Sequence, residues 1–214
     1  MEKHTVSASL TDNTKYMNRA LPVKKSFDII ERNLIIGGQN SAFYFIDGFT
    51  KDETMLKLMD SFLNISADDM PEDATSFSTS CIPYVEVDIL GDFDSIFKNL
   101  LSGVTCLFID GYEAAIAIDC RTYPSRSIEE PDKDKSLRGS RDGFVETIVF
   151  NTALMRRRIR DPHLIMEMYE AGTSTRTDVA LCYMSDRVDR ELLTTIQNKL
   201  EESKSQDLKM SQQS

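Results

Sequence analysis

The sequence contains no tryptophan, only two histidines (His4 and His163), and four cysteines, none of them in a Cys-x-x-Cys pair. A structural zinc site needs thiolates and imidazoles clustered at close spacing, so a zinc-stapled fold is excluded. Cys106 and Cys182 lie in apolar runs, where a thiol behaves as a small hydrophobe, and the whole set reads as a reduced, cytosol-facing chain. No Walker or dinucleotide glycine pattern occurs, and no Ser, Thr or Cys has a nucleophile elbow or a base beside it. Missing too is any apolar run of the roughly 18 to 20 residues that a membrane helix needs. Met1 to Asn18 has no hydrophobic stretch of the kind found in targeting signals, so the chain by itself is expected to be soluble. Positive charge is scarce: 25 Lys and Arg face 35 Asp and Glu, a formal charge of −10. That field repels phosphate backbones, which disfavours nucleic acid as a partner, and it opposes broad contact with anionic lipid.

What is present is enough apolar material for a core: 41% of 214 residues. Residues 1–22 are polar and aperiodic and read as a mobile tail. Leu34-Ile35-Ile36 and Ala42 to Ile46 flank Gly37-Gly38-Gln39-Asn40, a hairpin pattern. Met55, Met59 and Phe62 share a stripe that predicts a helix over 51–65. The acidic, polar stretch 66–80 reads as a long exposed loop. Tyr84 to Ile89 alternates like a strand with one wet face, and Phe93 to Leu101 predicts a helix ended by Gly103. Strands follow at 104–109 and 114–118, then an irregular polar segment over 120–143. A helix is predicted from Phe144 to Arg158, strands at 164–169 and 179–184, and a last helix over 189–202. Several strand pairs have links too short for a parallel crossover. The expected fold is therefore α/β in the α+β sense, with mixed or antiparallel sheets covered by helices. It divides into two small subdomains, 23–90 and 91–203, followed by a polar tail over 204–214.

Little here looks like catalysis. Asp47 and Asp110 close the two Phe-Ile-Asp-Gly segments (45–48 and 108–111), where Asp-Gly serves a turn better than an acid–base pair. His163 follows Pro162 and reads as a solvated loop histidine. The conspicuous charge is Arg156-Arg157-Arg158-Ile159-Arg160 at a helix end, with Arg138 and Arg141 before the same helix. Guanidinium groups there complement the helix dipole, and they also suit carboxylate or anion contacts.

Three linked segments carry a likeness: Arg126 to Pro131, Arg138-Gly139-Ser140-Arg141-Asp142-Gly143 with Phe144 to Thr147, and Asn151 to Arg160. They resemble the hydrophilic N-terminal region of the A-type subunits of the GerA spore-germination family, although Ser140 stands where that family usually has proline. Weaker similarity runs from about Ser26 to Glu202. Ile36-Gly37-Gly38, Tyr44 to Glu53 and Leu208-Lys209-Met210-Ser211 look like one sporulation branch of that family. The resemblance implies a soluble N-terminal part of a longer membrane protein at the spore inner membrane, facing the core. It implies a part in germination with other inner-membrane germination proteins, in oligomers that release ions or small molecules, and no catalytic residue, cofactor or metal. The expected role is assembly and signal coupling, with Arg138, Arg141, Arg156, Arg157, Arg158 and Arg160 making polar contacts between subdomains or across an interface. The alternative is a germinant-sensing domain with a small ligand in the cleft between subdomains.

Overall fold

The computed structural model describes residues 4–82, 85–122 and 144–204. Its elements run α1 (Leu10–Ala20), β1 (Ile29–Ile36), β2 (Gln39–Ile46), α2 (Asp52–Leu63), a 3-10 turn (Ala67–Asp69), α3 (Ala74–Cys81), β3 (Val87–Leu90), α4 (Phe93–Leu101), β4 (Thr105–Ile109), β5 (Ala115–Ile118), α5 (Ile148–Arg158), β6 (Leu164–Ala171), β7 (Thr177–Met184) and α6 (Arg190–Ser203). Five strands form one sheet in the order β1-β2-β4-β5-β3, and β6 and β7 form a second. Every pairing among the described strands is antiparallel. The fold class is therefore α+β.

Side chains alternate across a strand, so a sheet covered on both faces buries every residue of its central strands. β4 and β5 are buried at every position. Ala42, Tyr44, Cys106, Phe108 and Ala115 meet α1 and α4 through Met17, Leu21, Phe93, Ile96 and Leu100. Phe43, Leu107, Ile109, Ile116 and Ile118 meet α2 and α3 through Leu58, Phe62 and Phe77. The hairpin expected at Gly37-Gly38 joins β1 to β2, and both glycines have positive φ (52° and 77°), the requirement of a tight type I′ turn.

Four expectations need correction. Within the stretch read as a tail, residues 10–20 form α1, whose Met17 is completely buried. The helix shows no clear apolar stripe because its buried face includes Asn13 and few apolar residues. Its signals were Ser9, whose hydroxyl accepts from the Asp12 amide, and Pro22 just beyond the end. Residues 66–80 are not one exposed loop. Asp73 caps α3 by accepting from the Ser76 amide at 2.7 Å, and that bond holds its carboxyl below the usual range. Phe77 of α3 is fully buried, with its ring centroid 5.4 Å from that of Phe62. The α5 helix begins at Ile148 and not at Phe144. The Asn151 side chain accepts from the Val145 amide and donates to the Val145 carbonyl, both at 2.7 Å, and this holds Val145 outside the helix.

The fourth correction is the boundary at 90/91. β3 ends at Leu90, yet it pairs with β5 from Val87↔Ile118 to Leu90↔Ala115, so one sheet spans both expected subdomains. Strand pairing follows which apolar faces meet, not proximity along the chain. The second sheet, with α5 packed on β7 and α6 on β6, makes the other unit. The repeated Phe-Ile-Asp-Gly has a local meaning as well. β2 and β4 are antiparallel neighbours, so the two Asp-Gly turns close opposite ends of the pair, with Gly48 and Gly111 at φ 78° and 91°. Residues 123–143 and 205–214 lie outside the described residues.

Because Met17 fills the core beneath α1, Met17→Ala is expected to cost about 2–5 kcal/mol in urea unfolding. A loss within about 0.5 kcal/mol, the range of a surface site, would return this segment to solvent.

Candidate functional site

The second unit is joined to the first by Arg156, which sits in the last turn of α5 with its side chain fully buried. Side chains of the segment just before β1 supply its charged partner and one hydroxyl. Arg156 Nε donates to Asp28 Oδ2 at 2.7 Å and Nη2 to Asp28 Oδ1 at 3.2 Å, a two-pronged contact that a planar guanidinium can make and a lysine cannot. The remaining donors reach the Leu164 carbonyl (2.9 Å), the Asp161 carbonyl (3.1 Å) and the Ser26 hydroxyl (3.3 Å). Ser26 in turn donates to Asp28 Oδ1 and accepts from the Met166 amide at 2.9 Å, while the Phe27 amide donates to the Met166 carbonyl. Four chain segments thus converge on one ion pair. Burying two charges is costly unless each polar group is satisfied, which is what this network accomplishes. Nearby, Gly48 lets α5 approach the β2 turn: a Cβ there would lie 3.1 Å from the Ala153 Cβ.

The other arginines part company with Arg156. Arg157, Arg158 and Arg160 are exposed at the end of α5, and Arg160 Nε donates to the Arg157 carbonyl at 3.3 Å. Arg138 and Arg141 lie outside the described residues. Ser26 and Asp28, the residues that sequence reasoning missed, carry no local signal. Their part in the network is set by a helix 128 residues further along.

Asp47 and Asp110 are not brought together as a pair. Asp110 accepts from the Leu10 amide at 2.9 Å and so holds the start of α1. Asp47 lines a cavity on another side of the sheet. His163 is exposed and faces Asp161, with its Nδ1 2.9 Å from Oδ1. Its backbone and ring bonds hold the Asp161 carboxyl below the ordinary range. Two thiols are poor nucleophiles: burial pushes Cys106 up to about 12 and Cys120 to about 11. A cavity of about 690 Å³ lies between the β2 turn, the start of α2 and α5, lined by Phe45, Asp47, Thr50, Met55, Val149 and Phe150. On the far side of β6, Glu167 accepts from Tyr169, Tyr183 and Gln197 at 2.7 to 2.8 Å and so ties α6 to the hairpin. Burial alone would raise the Glu167 carboxyl, but these bonds together with the charge of Lys25 lower it.

The sequence matches the family described as Bacillus/Clostridium GerA spore germination protein over residues 15–213. The chain belongs to the GerA family. Stage V sporulation protein AF of Bacillus subtilis is 32% identical over 200 residues, covering 93% of this chain and 41% of that protein. Spore germination protein KA of the same organism is 29% identical over 200 residues, covering 92% of this chain and 36% of the relative. This GerA chain thus spans about two fifths of the length of these relatives. The N-terminal domain of the A subunit of the Bacillus megaterium spore germinant receptor GerK3 has the same fold, with a TM-score of 0.71 and 20% identity over 94% of this chain and 74% of that one. The branch to which Ile36 to Gly38 and Tyr44 to Glu53 point is that of stage V sporulation protein AF.

Leaving one buried charge without its partner is strongly destabilising. Arg156→Ala is expected to lower stability by about 3–5 kcal/mol. The double change Arg156→Met with Asp28→Leu is expected to recover most of that loss in a urea double-mutant cycle. Additive losses would mean that the pair is not coupled.

Proposed function

We propose that this chain is a non-catalytic assembly and signal-coupling domain that acts in spore germination. Family membership supports the process, and the relatives bear the names of sporulation and germination proteins. The observation that carries the finer reading is the buried Arg156–Asp28 pair. It ties the α5–α6 unit to the five-stranded sheet, while the next residues along, Arg157, Arg158 and Arg160, are exposed. A partner that engages those arginines acts on the helix turn that holds both sheets, so its contact energy reaches the whole domain. No helix of the described residues is long and apolar enough to cross a membrane. The bilayer-embedded part is assigned to sequence beyond these 214 residues, as in a protein of the spore inner membrane with this domain on the core side. Its partners are then other inner-membrane germination proteins or further copies of the full-length protein, and its output is ion or small-molecule release. The formal charge of −10 argues against nucleic acid.

Reversing charge with Arg157→Glu and Arg158→Glu is expected to weaken recovery of the full-length protein in its complex about tenfold, or about 1.4 kcal/mol. Germination slows in parallel, and the unfolding midpoint of the isolated domain stays within the range of a surface change. Unchanged complex recovery and germination would remove the arginine interface.

A second reading is a germinant sensor, and the cavity of about 690 Å³ beside Phe45 and Phe150 favours it. A ligand that binds only the folded state raises the melting temperature, by the equivalent of about 2.7 kcal/mol at a hundred times its Kd. Amino acids and sugars are expected to raise it saturably if this cavity senses them, and Gly48→Leu to abolish the rise. A flat response to all of them leaves assembly as the function.

A further inference from the structure

A strand in an antiparallel pair turns the N–H and C=O groups of successive residues alternately toward its neighbour and away from it. In the second sheet Met166 of β6 fixes that alternation: its amide donates to the Ser26 hydroxyl and its carbonyl accepts from the Phe27 amide, both at 2.9 Å. Met166 therefore turns its main-chain groups away from β7, and its cross-strand partner Cys182 turns its own away from β6. With a period of two, Asp178 and Ala180 face outward as well, while Val179, Leu181 and Tyr183 bond to β6. Among the described residues the outward N–H and C=O groups of Asp178, Ala180 and Cys182 have no hydrogen-bond partner. Asp178 is exposed and Ala180 and Cys182 are half-buried, so the row is open to an incoming chain.

The other outer edges of the two sheets are closed or blunted. β6 meets the segment before β1. β3 has four residues with Asp88 among them, and β1 carries Glu31, Arg32 and Asn33 at its middle. Short strands and mid-strand charge are how folded proteins keep their edges from pairing. β7 has neither device. It runs eight residues with no proline, glycine or basic side chain, and its one charge, Asp178, lies near an end. Only extended main chain satisfies a row of alternating donors and acceptors, which fixes the kind of partner. The open row is also symmetric about Ala180. A two-fold axis there sets Ala180 against the partner's Ala180 and Asp178 against the partner's Cys182, and each matched pair exchanges two bonds. In that register Val179 faces the partner's Leu181, so apolar side chains meet across the axis. The two Asp178 carboxylates are separated by the span from 178 to 182, about 13 Å at ~3.4 Å per residue, beyond the Debye length of roughly 8 Å.

We propose that β7 is a docking edge for a second copy of this chain, pairing antiparallel with the partner's β7 about a two-fold axis at Ala180. The two hairpins then form one four-stranded sheet, which relieves the marginality of an isolated two-stranded pair. The contact uses the same surface on both copies and closes at two. It rests on the assembly reading, because it names one surface through which copies of the domain associate. The arginine corner at the end of α5 is left for other proteins.

The test is sedimentation equilibrium of the 214-residue chain in reducing buffer at rising concentration, where a monomer–dimer equilibrium is expected. Ala180→Pro removes an N–H that bonds nothing within the hairpin, and proline is tolerated on an outer edge. It is expected to weaken the dimer about tenfold or more while the unfolding midpoint holds. Ile35→Pro, on the outer edge of β1, is the control and is expected to leave the dimer as it was. A second measurement does not depend on the proline variant folding. Asp178→Cys sets a thiol opposite the partner's Cys182 with Cα atoms about 5.5 Å apart, within disulfide reach. Oxidation with copper phenanthroline is expected to give a dimer linked between 178 and 182, read by peptide mass. A monomer at every concentration, a dimer that Ala180→Pro does not weaken or that Ile35→Pro weakens equally, or linkage through other cysteines alone would overturn the proposal. Complex recovery that still falls with Arg157→Glu and Arg158→Glu would then keep the assembly reading while the β7 edge is lost.

Discussion

The architecture depends on one buried ion pair. Arg156 and Asp28 lie in different units, and neither side chain has contact with water. In a low-dielectric interior a guanidinium is tolerable only when its donors are met in direction as well as number. The donors of Arg156 are directed at Asp28, Ser26 and two carbonyls. Each of those partners fixes a segment: the approach to β1, the turn after α5 and the start of β6. The pair therefore specifies how the two sheets meet, which an apolar contact of equal area would do less strictly.

The five-stranded sheet supplies the rigid partner for that junction. Helices on both faces bury β4 and β5 completely, and the two core clusters alternate residue by residue along β2, β4 and β5. Small side chains place the helices closely. Ala115 and Ala117 occupy one face of β5, while Ile116 and Ile118 fill the other. The second unit is lighter: a two-stranded hairpin is marginal by itself. Its helices and the arginine junction give it the support that a larger sheet would provide internally.

Charge is distributed to match. The basic end of α5 divides at a single residue, with Arg156 turned inward and Arg157, Arg158 and Arg160 at the surface. At the other covered face, α1 donates to a carboxylate near each of its ends, Asp110 from the Leu10 amide and Glu31 from Asn18. An acidic chain thus carries one exposed cationic corner.

The hairpins and most helices were legible because their information is local. Gly37-Gly38 permits a turn that other residues resist, and Phe93, Ile96 and Leu100 repeat at the spacing of a helix face. α1 and α3 were obscured because their inward faces rest on one or two large side chains, Met17 and Phe77, among Ser, Thr and Asn. The arginine run and the family likeness were also visible, since both are properties of short ordered motifs. Which arginine is buried was not, nor that β3 joins β5 across the expected boundary. Those outcomes rest on Asp28 meeting Arg156 and on apolar faces pairing across distant stretches of chain. Local patterning sets what each segment can become; only long-range packing, with its demand that every buried charge find a partner, decides where each one goes.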